Sequence, residues 1–319
     1  MNVIARRPGA RPRRELTAAL ERRGWLGFFV IISPLVHLRA ILVSMVASLT
    51  LTSCQSTPVV RAETIARTAG FDSGILRGTG FAHQAYYTIA PETDTLFVFL
   101  DGDGSPWVDY GTRVALDPTP RIPLALQLAV RTRTSVLYLG RPCYFRVAGD
   151  ATGDHPCSSD LWTSKRYSLA VVDSMATALD AFLATHHFRE VTLIGYSGGG
   201  TLAVLLAPRV PAVRAVVTVA ANLDIAAWTS FHGYLPLEGS LNPVDQPPLT
   251  PRLQEWHLVG ARDRNTPRDL NSRYWTRVSP ERLWVYPEMD HACCWVSQWP
   301  EIFVRLQAAF ALTSGSRLQ

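Results

Sequence analysis

Val191-Thr192-Leu193-Ile194-Gly195-Tyr196-Ser197-Gly198-Gly199-Gly200-Thr201-Leu202-Ala203-Val204-Leu205-Leu206 is the stretch on which the fold turns. Val191 to Ile194 predict a buried strand, and the Ala/Leu-rich run Gly199 to Leu206 predicts a helix. Between them Gly195-Tyr196-Ser197-Gly198-Gly199 must reverse the chain sharply. Such a turn thrusts the residue at the bend out above the sheet, and glycines at 195 and 199 let helix and strand approach closely. That residue is a serine. At its free pKa a serine hydroxyl is a poor nucleophile, so chemistry at Ser197 requires an adjacent base and donors for a developing oxyanion. A phosphate-binding turn is the competing reading. It is disfavoured because no Lys follows in the run and Gly198-Gly199-Gly200 lacks the Gly-x-Gly-x-x-Gly spacing.

Outward from this stretch, strand and helix patterns alternate, the signature of a mostly parallel sheet covered on both faces. Strands are predicted at Ala85 to Ile89, Leu96 to Leu100, Val136 to Leu139, Ala215 to Ala220, Trp256 to Val259 and Leu283 to Tyr286. Helices are predicted at Pro123 to Arg131, Ser168 to His186, Pro267 to Trp275 and Glu301 to Leu312. Ser168 to His186 carries apolar residues at helical spacing: Leu169, Val172, Met175, Ala176, Leu179, Phe182 and Leu183. Residues 222–252 break the rhythm with five prolines, and an insertion of that length in a compact domain is usually functional.

Of the 319 residues, 47% are hydrophobic and 18% charged, enough for a sizeable core. The net charge of +5 is misleading as a sign of nucleic-acid binding. Residues 1–53 hold eight arginines against Glu15 and Glu21, a balance of +6, which leaves −1 for the rest. A basic face for phosphate is therefore not expected, and nucleic acid is not an expected partner.

With an acid and a histidine placed after later strands, the chain resembles the α/β-hydrolase superfamily from about residue 84 onward. That resemblance implies an α/β-hydrolase fold, a mostly parallel central sheet with helices on both faces. It also implies a triad in the chain order Ser, acid, His. Asp263 follows the strand ending at Val259, and His291 follows Leu283 to Tyr286. In the implied roles His291 takes the Ser197 proton and later protonates the leaving group, while Asp263 fixes its tautomer. Asp224, after Ala215 to Ala220, is the alternative acid. His257 within a strand and His155 in a polar loop compete with His291, and His186 and His187 end a helix. The implied oxyanion donors are the N–H groups of Gly198 and Asp103, with Gly102 as the nearby alternative. Leu100-Asp101-Gly102-Asp103-Gly104 resembles the family's His-Gly loop with Asp101 in place of His. Asp101 and Asp103 also raise a metal reading, but two carboxylates without further ligands make a poor calcium loop. Trp107 and Tyr110, Tyr144 and Trp162, and Trp228, Phe231 and Tyr234 are candidates to line an acyl or alcohol pocket. The insertion at 222–252 sits where the family often carries a cap.

The N-terminus reads as an export signal. Two apolar stretches, Trp25 to Val36 and Ala40 to Leu51, follow a basic start, and each falls short of the ~20 residues a spanning helix needs. The second ends in Leu51-Thr52-Ser53-Cys54, which resembles the lipobox of bacterial lipoproteins, whose cysteine is lipidated and becomes the mature N-terminus. The expected division is therefore a leader over 1–53, a tether and approach over 54–83, and a catalytic domain over 84–319. The expected location is the periplasmic side of a bacterial cell envelope, anchored to membrane lipid through Cys54. In an oxidising compartment Cys143 and Cys157 could staple the polar loop between them. The adjacent Cys293 and Cys294 would make a strained pair, and no Cys/His spacing suggests zinc.

These residues together predict a cofactor-free serine hydrolase acting on a small-molecule acyl substrate through an acyl-enzyme, with esterase the default. A catalytically silent binding lipoprotein is the main alternative. Thioesterase, lipase, peptidase or haloperoxidase-like chemistry on the same triad are others.

Overall fold

Along β3 (Thr95–Leu100), Phe97 and Phe99 project into one apolar layer while Leu96, Val98 and Leu100 project into another, so this strand is buried on both faces. That is why its sequence is an unbroken apolar run rather than an alternation. The structure, a computed structural model, describes residues 57–91, 93–147 and 157–315. The leader, the lipobox with Cys54, and His155 lie outside the described residues.

Eight strands form one sheet. They are β1 (Asp72–Arg77), β2 (Ala82–Thr88), β3, β6 (Val136–Leu139), β7 (Glu190–Tyr196), β8 (Val213–Val219), β9 (Gln254–Gly260) and β10 (Leu283–Tyr286). A separate two-stranded ribbon pairs β4 (Trp107–Val108) with β5 (Arg113–Val114). The sheet order is β1-β2-β6-β3-β7-β8-β9-β10, antiparallel at its β1-β2-β6 end and parallel from β6 onward. Parallel strands joined by crossover helices must be covered on both sides. α1 (Pro58–Thr68), α2 (Leu124–Ala129) and α7 (Trp295–Gly315) supply one layer, with Trp295, Trp299 and Phe303 packed among Phe97, Phe99 and Leu128. α3 (Leu169–His186) and α4 (Gly198–Leu206) supply the other, packing Val172, Met175, Leu179 and Leu202 to Leu206 on Val98 and Leu193. This is the predicted fold class.

Several predicted elements need correction. The stretch read as tether and approach is built into the fold from Thr57 on. Pro58 opens α1, the Thr57 hydroxyl accepts from Val60 N–H at 3.3 Å, and β1 then forms the antiparallel edge of the sheet. The insertion contains a helix, α5 (Ile225–His232), capped by the Asp224 carboxylate and ended by Gly233 at φ 67°. The predicted helix near 267–275 is a 3₁₀ turn, Arg268–Asn271, followed by one short helix, α6 (Ser272–Trp275). The closing helix begins at Trp295, ahead of Pro300, which sits within its early turns. Cys143 is bridged to Cys157 with their Cα atoms 5.5 Å apart, and Cys293 is bridged to Cys294 across a cis peptide.

Candidate active site

The site lies at the C-terminal ends of the parallel strands, where open α/β sheets hold their ligands. β7 ends at Tyr196 and α4 begins at Gly198, so Ser197 alone makes the turn, with φ 51° and ψ −123°. Its N–H donates to Val219 O at 2.8 Å, tying the bend to β8. Such a turn needs a close approach of helix to strand. A Cβ on Gly195 would lie 2.1 Å from Gly199 O, so only glycine fits there.

β9 ends at Gly260 and delivers Asp263; β10 ends at Tyr286 and delivers His291. His291 Nε2 lies 3.1 Å from Ser197 Oγ, and His291 Nδ1 lies 2.9 Å from Asp263 Oδ2. The Asp263 side chain is fully buried and its oxygens are satisfied. Oδ1 accepts from the N–H groups of Asn265 and Thr266, both at 2.8 Å, and Oδ2 accepts from the Thr266 hydroxyl at 2.8 Å. Burial pushes its carboxyl up, but the hydrogen bond and charge of His291, with the Thr266 donors, outweigh that and hold it below the ordinary carboxylate range. A neutral His291 that donates from Nδ1 to Asp263 presents Nε2 as an acceptor to the Ser197 hydroxyl. Asn265 Nδ2 also reaches Nε2, at 3.0 Å. The Tyr196 ring lies 5.3 Å from the imidazole and walls its other side.

Asp224 does not take part in this chain of contacts. It is buried beside α5, where it accepts from Ala227 N–H and Asn242 Nδ2 and pairs with Arg273. His257 is buried between Thr218 and Glu255, a structural histidine in β9.

The loop after β3 faces Ser197: a Cβ on Gly102 would lie 3.3 Å from the Ser197 Cβ. Gly102 N–H donates to Asp101 Oδ1 at 3.1 Å, so this donor is already engaged. Gly198 opens α4, and its N–H is one of the donors that a helix start leaves without an intrahelical partner. The two loop aspartates have opposite surroundings. Asp101 is buried with only neutral donors, from Gly102, Ala125 and Tyr138, and burial pushes its carboxyl up to about 6 despite them. Burial also pushes Asp103 up, but there Arg166 and Arg141 win and hold it down at about 2. Arg166 Nη1 donates to Asp103 Oδ2 at 2.7 Å, Arg141 Nη1 to Oδ1 at 2.9 Å, and the Tyr167 hydroxyl to the same carboxylate. Two cations on one carboxylate leave a positive balance beneath the loop. A Cβ on Gly198 would fall 2.1 Å from Asp103 Oδ1, so this cluster packs directly on the residue after Ser197. Arg141, Arg166 and Tyr167 were not among the residues the sequence singled out.

Above Ser197 opens a cavity of about 1330 Å³, lined by Trp107 on the loop side and by Trp228 and Tyr234 to Glu238 from the insertion. Of the aromatic candidates, Tyr144 and Trp162 lie elsewhere. Both are buried in the core, where the Tyr144 hydroxyl donates to Asp103 O and Trp162 Nε1 to Ala115 O. Phe231 faces solvent beside the cavity rather than into it. Among the described residues no group of three or more His, Cys, Asp or Glu side chains could hold a metal ion, and no helix is long and apolar enough to cross a membrane.

Residues 152–291, which include Ser197, Asp263 and His291, match the family model described as alpha/beta hydrolase fold. The chain is an α/β-hydrolase-fold protein. Among solved structures the α/β-hydrolase architecture recurs in a protein named "putative lipase (lip1)" from Acinetobacter baumannii AYE. It is 13% identical with a TM-score of 0.52, over 84% of this chain and 99% of that one. It recurs also in a "putative hydrolase" from Agrobacterium vitis S4, 14% identical with a TM-score of 0.50, over 74% of this chain and 98% of that one. No curated protein matches the chain.

Proposed function

We propose that this α/β-hydrolase-fold protein is a serine hydrolase that cleaves ester-like acyl bonds through an acyl-enzyme. The observation that carries the reading is the hydrogen-bonded chain Ser197–His291–Asp263, opening on the large cavity. His291 Nε2 removes the Ser197 proton as Oγ attacks the acyl carbon, and Asp263 stabilises the imidazolium that forms. The tetrahedral oxyanion is met by Gly198 N–H at the start of α4, where the helix dipole is positive, and by Asp103 N–H. Gly102 is the weaker candidate because its N–H is spent on Asp101. Collapse breaks the bond between the acyl carbon and the alcohol oxygen, and the alcohol leaves with the His291 proton. Water, deprotonated by His291, then attacks the acyl carbon; the bond from that carbon to Ser197 Oγ breaks, His291 returns the proton to Oγ, and the acid is released. Trp107 and Trp228 supply apolar surface for the substrate.

A fluorophosphonate probe should label the purified protein, and Ser197→Ala should abolish both labelling and hydrolysis of p-nitrophenyl acetate. Full esterase activity in Ser197→Ala, or an unlabelled wild type, would discard the triad. The lipobox reading supports export and lipidation at Cys54. On that reading Cys54→Ala loses incorporation of radiolabelled palmitate, and unchanged incorporation removes the anchor.

A further inference from the structure

Apolar side chains facing water are gathered at the mouth of the cavity. Of the twelve large hydrophobic residues exposed among the described residues, four line the cavity itself: Trp107 and Ile122 on one lip, Tyr234 and Leu235 on the other. Two more stand beside these lips. Leu116, 97% exposed, is carried by the segment that Ser105 and Pro106 hold through Ser105 N to Pro118 O and Ala115 N to Pro106 O, both 2.8 Å. Phe231 stands on α5, its ring against His232, which stacks on Tyr234. Scattered exposed hydrophobics are ordinary on a protein surface, but a cluster on one rim marks an interaction site. Leu116 lines no part of the cavity and projects outward, and Leu235 on the opposite lip is 86% exposed. Side chains that protrude suit insertion among acyl chains better than seating against a shaped protein partner.

The start of α1 stands at this same rim. Thr57 to Val60 line a second cavity together with Ser105 and Arg121, and both of those residues also line the large one. Arg61 Nη1 donates to Arg121 O at 2.8 Å, fastening α1 there. Cys54, which the lipobox reading would lipidate, precedes Thr57 by three residues in the sequence. Neither Arg61 nor Arg121 has a carboxylate partner among the described residues' ion pairs, while exposed Glu238 on the opposite lip has no cationic one, so it is the α1 side of the rim that favours anionic lipid.

We propose that this rim docks on a lipid bilayer with the cavity mouth against the membrane, and that the ester presented to Ser197 is carried by a lipid drawn from that bilayer. The second half rests on the serine hydrolase reading; the docking does not. The test uses the full chain in vesicles of phosphatidylcholine and phosphatidylglycerol, with the double variant Leu116→Asp/Phe231→Asp. Neither residue lines the cavity or touches the triad. Hydrolysis of a long-chain p-nitrophenyl ester dissolved in the vesicles should fall at least tenfold in the variant, while hydrolysis of water-soluble p-nitrophenyl acetate stays within twofold. Quenching of tryptophan emission by brominated phosphatidylcholine should fall in parallel. Leu116→Ser/Phe231→Ser, which adds no charge, should give an intermediate loss. Equal vesicle rates and equal quenching in wild type and variants would overturn the proposal. So would a wild type that is dimeric in detergent and becomes monomeric in the variant, because the rim would then join two copies of this chain. A wild type that hydrolyses neither ester yet loses quenching in the variant would leave the docking standing and remove the hydrolase reading.

Discussion

Ser197 occupies a backbone conformation that a serine adopts only under constraint, φ 51° with ψ −123°. Holding a non-glycine residue in such a region costs about 1–3 kcal/mol, and strain of this kind collects where a side chain must be presented at a fixed angle. The elbow thus spends stability on the position of Oγ. Two variants separate these terms. Ser197→Ala removes the hydroxyl and keeps the strain; Ser197→Gly removes both but frees the unfolded chain, at a cost of roughly 0.5–1 kcal/mol. The strain term is the larger, so Ser197→Gly should unfold at a higher urea concentration than Ser197→Ala, by about 1 kcal/mol in stability. A glycine variant less stable than the alanine one would show that the elbow is not strained.

At the scale of elements, what could be read depended on whether the signal was local. β6 falls on its predicted bounds and β3 and β7 differ only at their ends, because strands buried on both faces are continuous apolar runs; β10 also falls on its bounds, an apolar run of four residues at the sheet edge with Val285 exposed. Ser197, Asp263 and His291 were legible because each follows an apolar run that forms a strand. β1 was not, since an edge strand of sequence Asp-Ser-Gly-Ile-Leu-Arg buries little of itself and carries no apolar run. α1 did carry a local signal, Thr57 followed by Pro58 at the first helical position, but only Ala62 and Ala66 are buried, too small a face to stand out as periodicity. The insertion at 222–252 was legible as an interruption, and its lining of the cavity was not. Arg141, Arg166 and Tyr167 stand 38, 63 and 64 residues from Asp103, and nothing local in the sequence brings them to its carboxylate. The same holds for Tyr144 and Trp162, whose aromatic character is compatible with core and pocket alike; only packing decides.

Across the whole molecule, buried carboxylates in opposite surroundings give stability an uneven dependence on pH. Asp103 and Asp263 are held below their ordinary values, so the stability they contribute is present above about pH 4 and drains away as pH falls, for Asp103 toward its folded value of about 2. Asp101 works the other way. In the unfolded chain it loses its proton near 3.8, whereas in the folded protein it keeps it to about 6. Stability from this group is therefore greatest below about pH 4, falls between pH 4 and 6, and is level above. The difference of about two pKa units corresponds to on the order of 3 kcal/mol at neutral pH. Asp101→Asn keeps an oxygen to accept from Gly102 and Ala125 and cannot ionise. It should match wild type in stability at pH 4 and exceed it progressively up to pH 6, with a constant gap beyond, as urea denaturation at each pH would measure. Parallel profiles across pH 4–6 would mean that Asp101 is not the group that titrates there. The fold tolerates this penalty at the end of β3 because the same turn carries Gly102 and Asp103 over Ser197. An uncharged acceptor at 101 would stabilise the protein, and Asp103, neutralised by Arg141 and Arg166, would remain to hold the loop against Gly198.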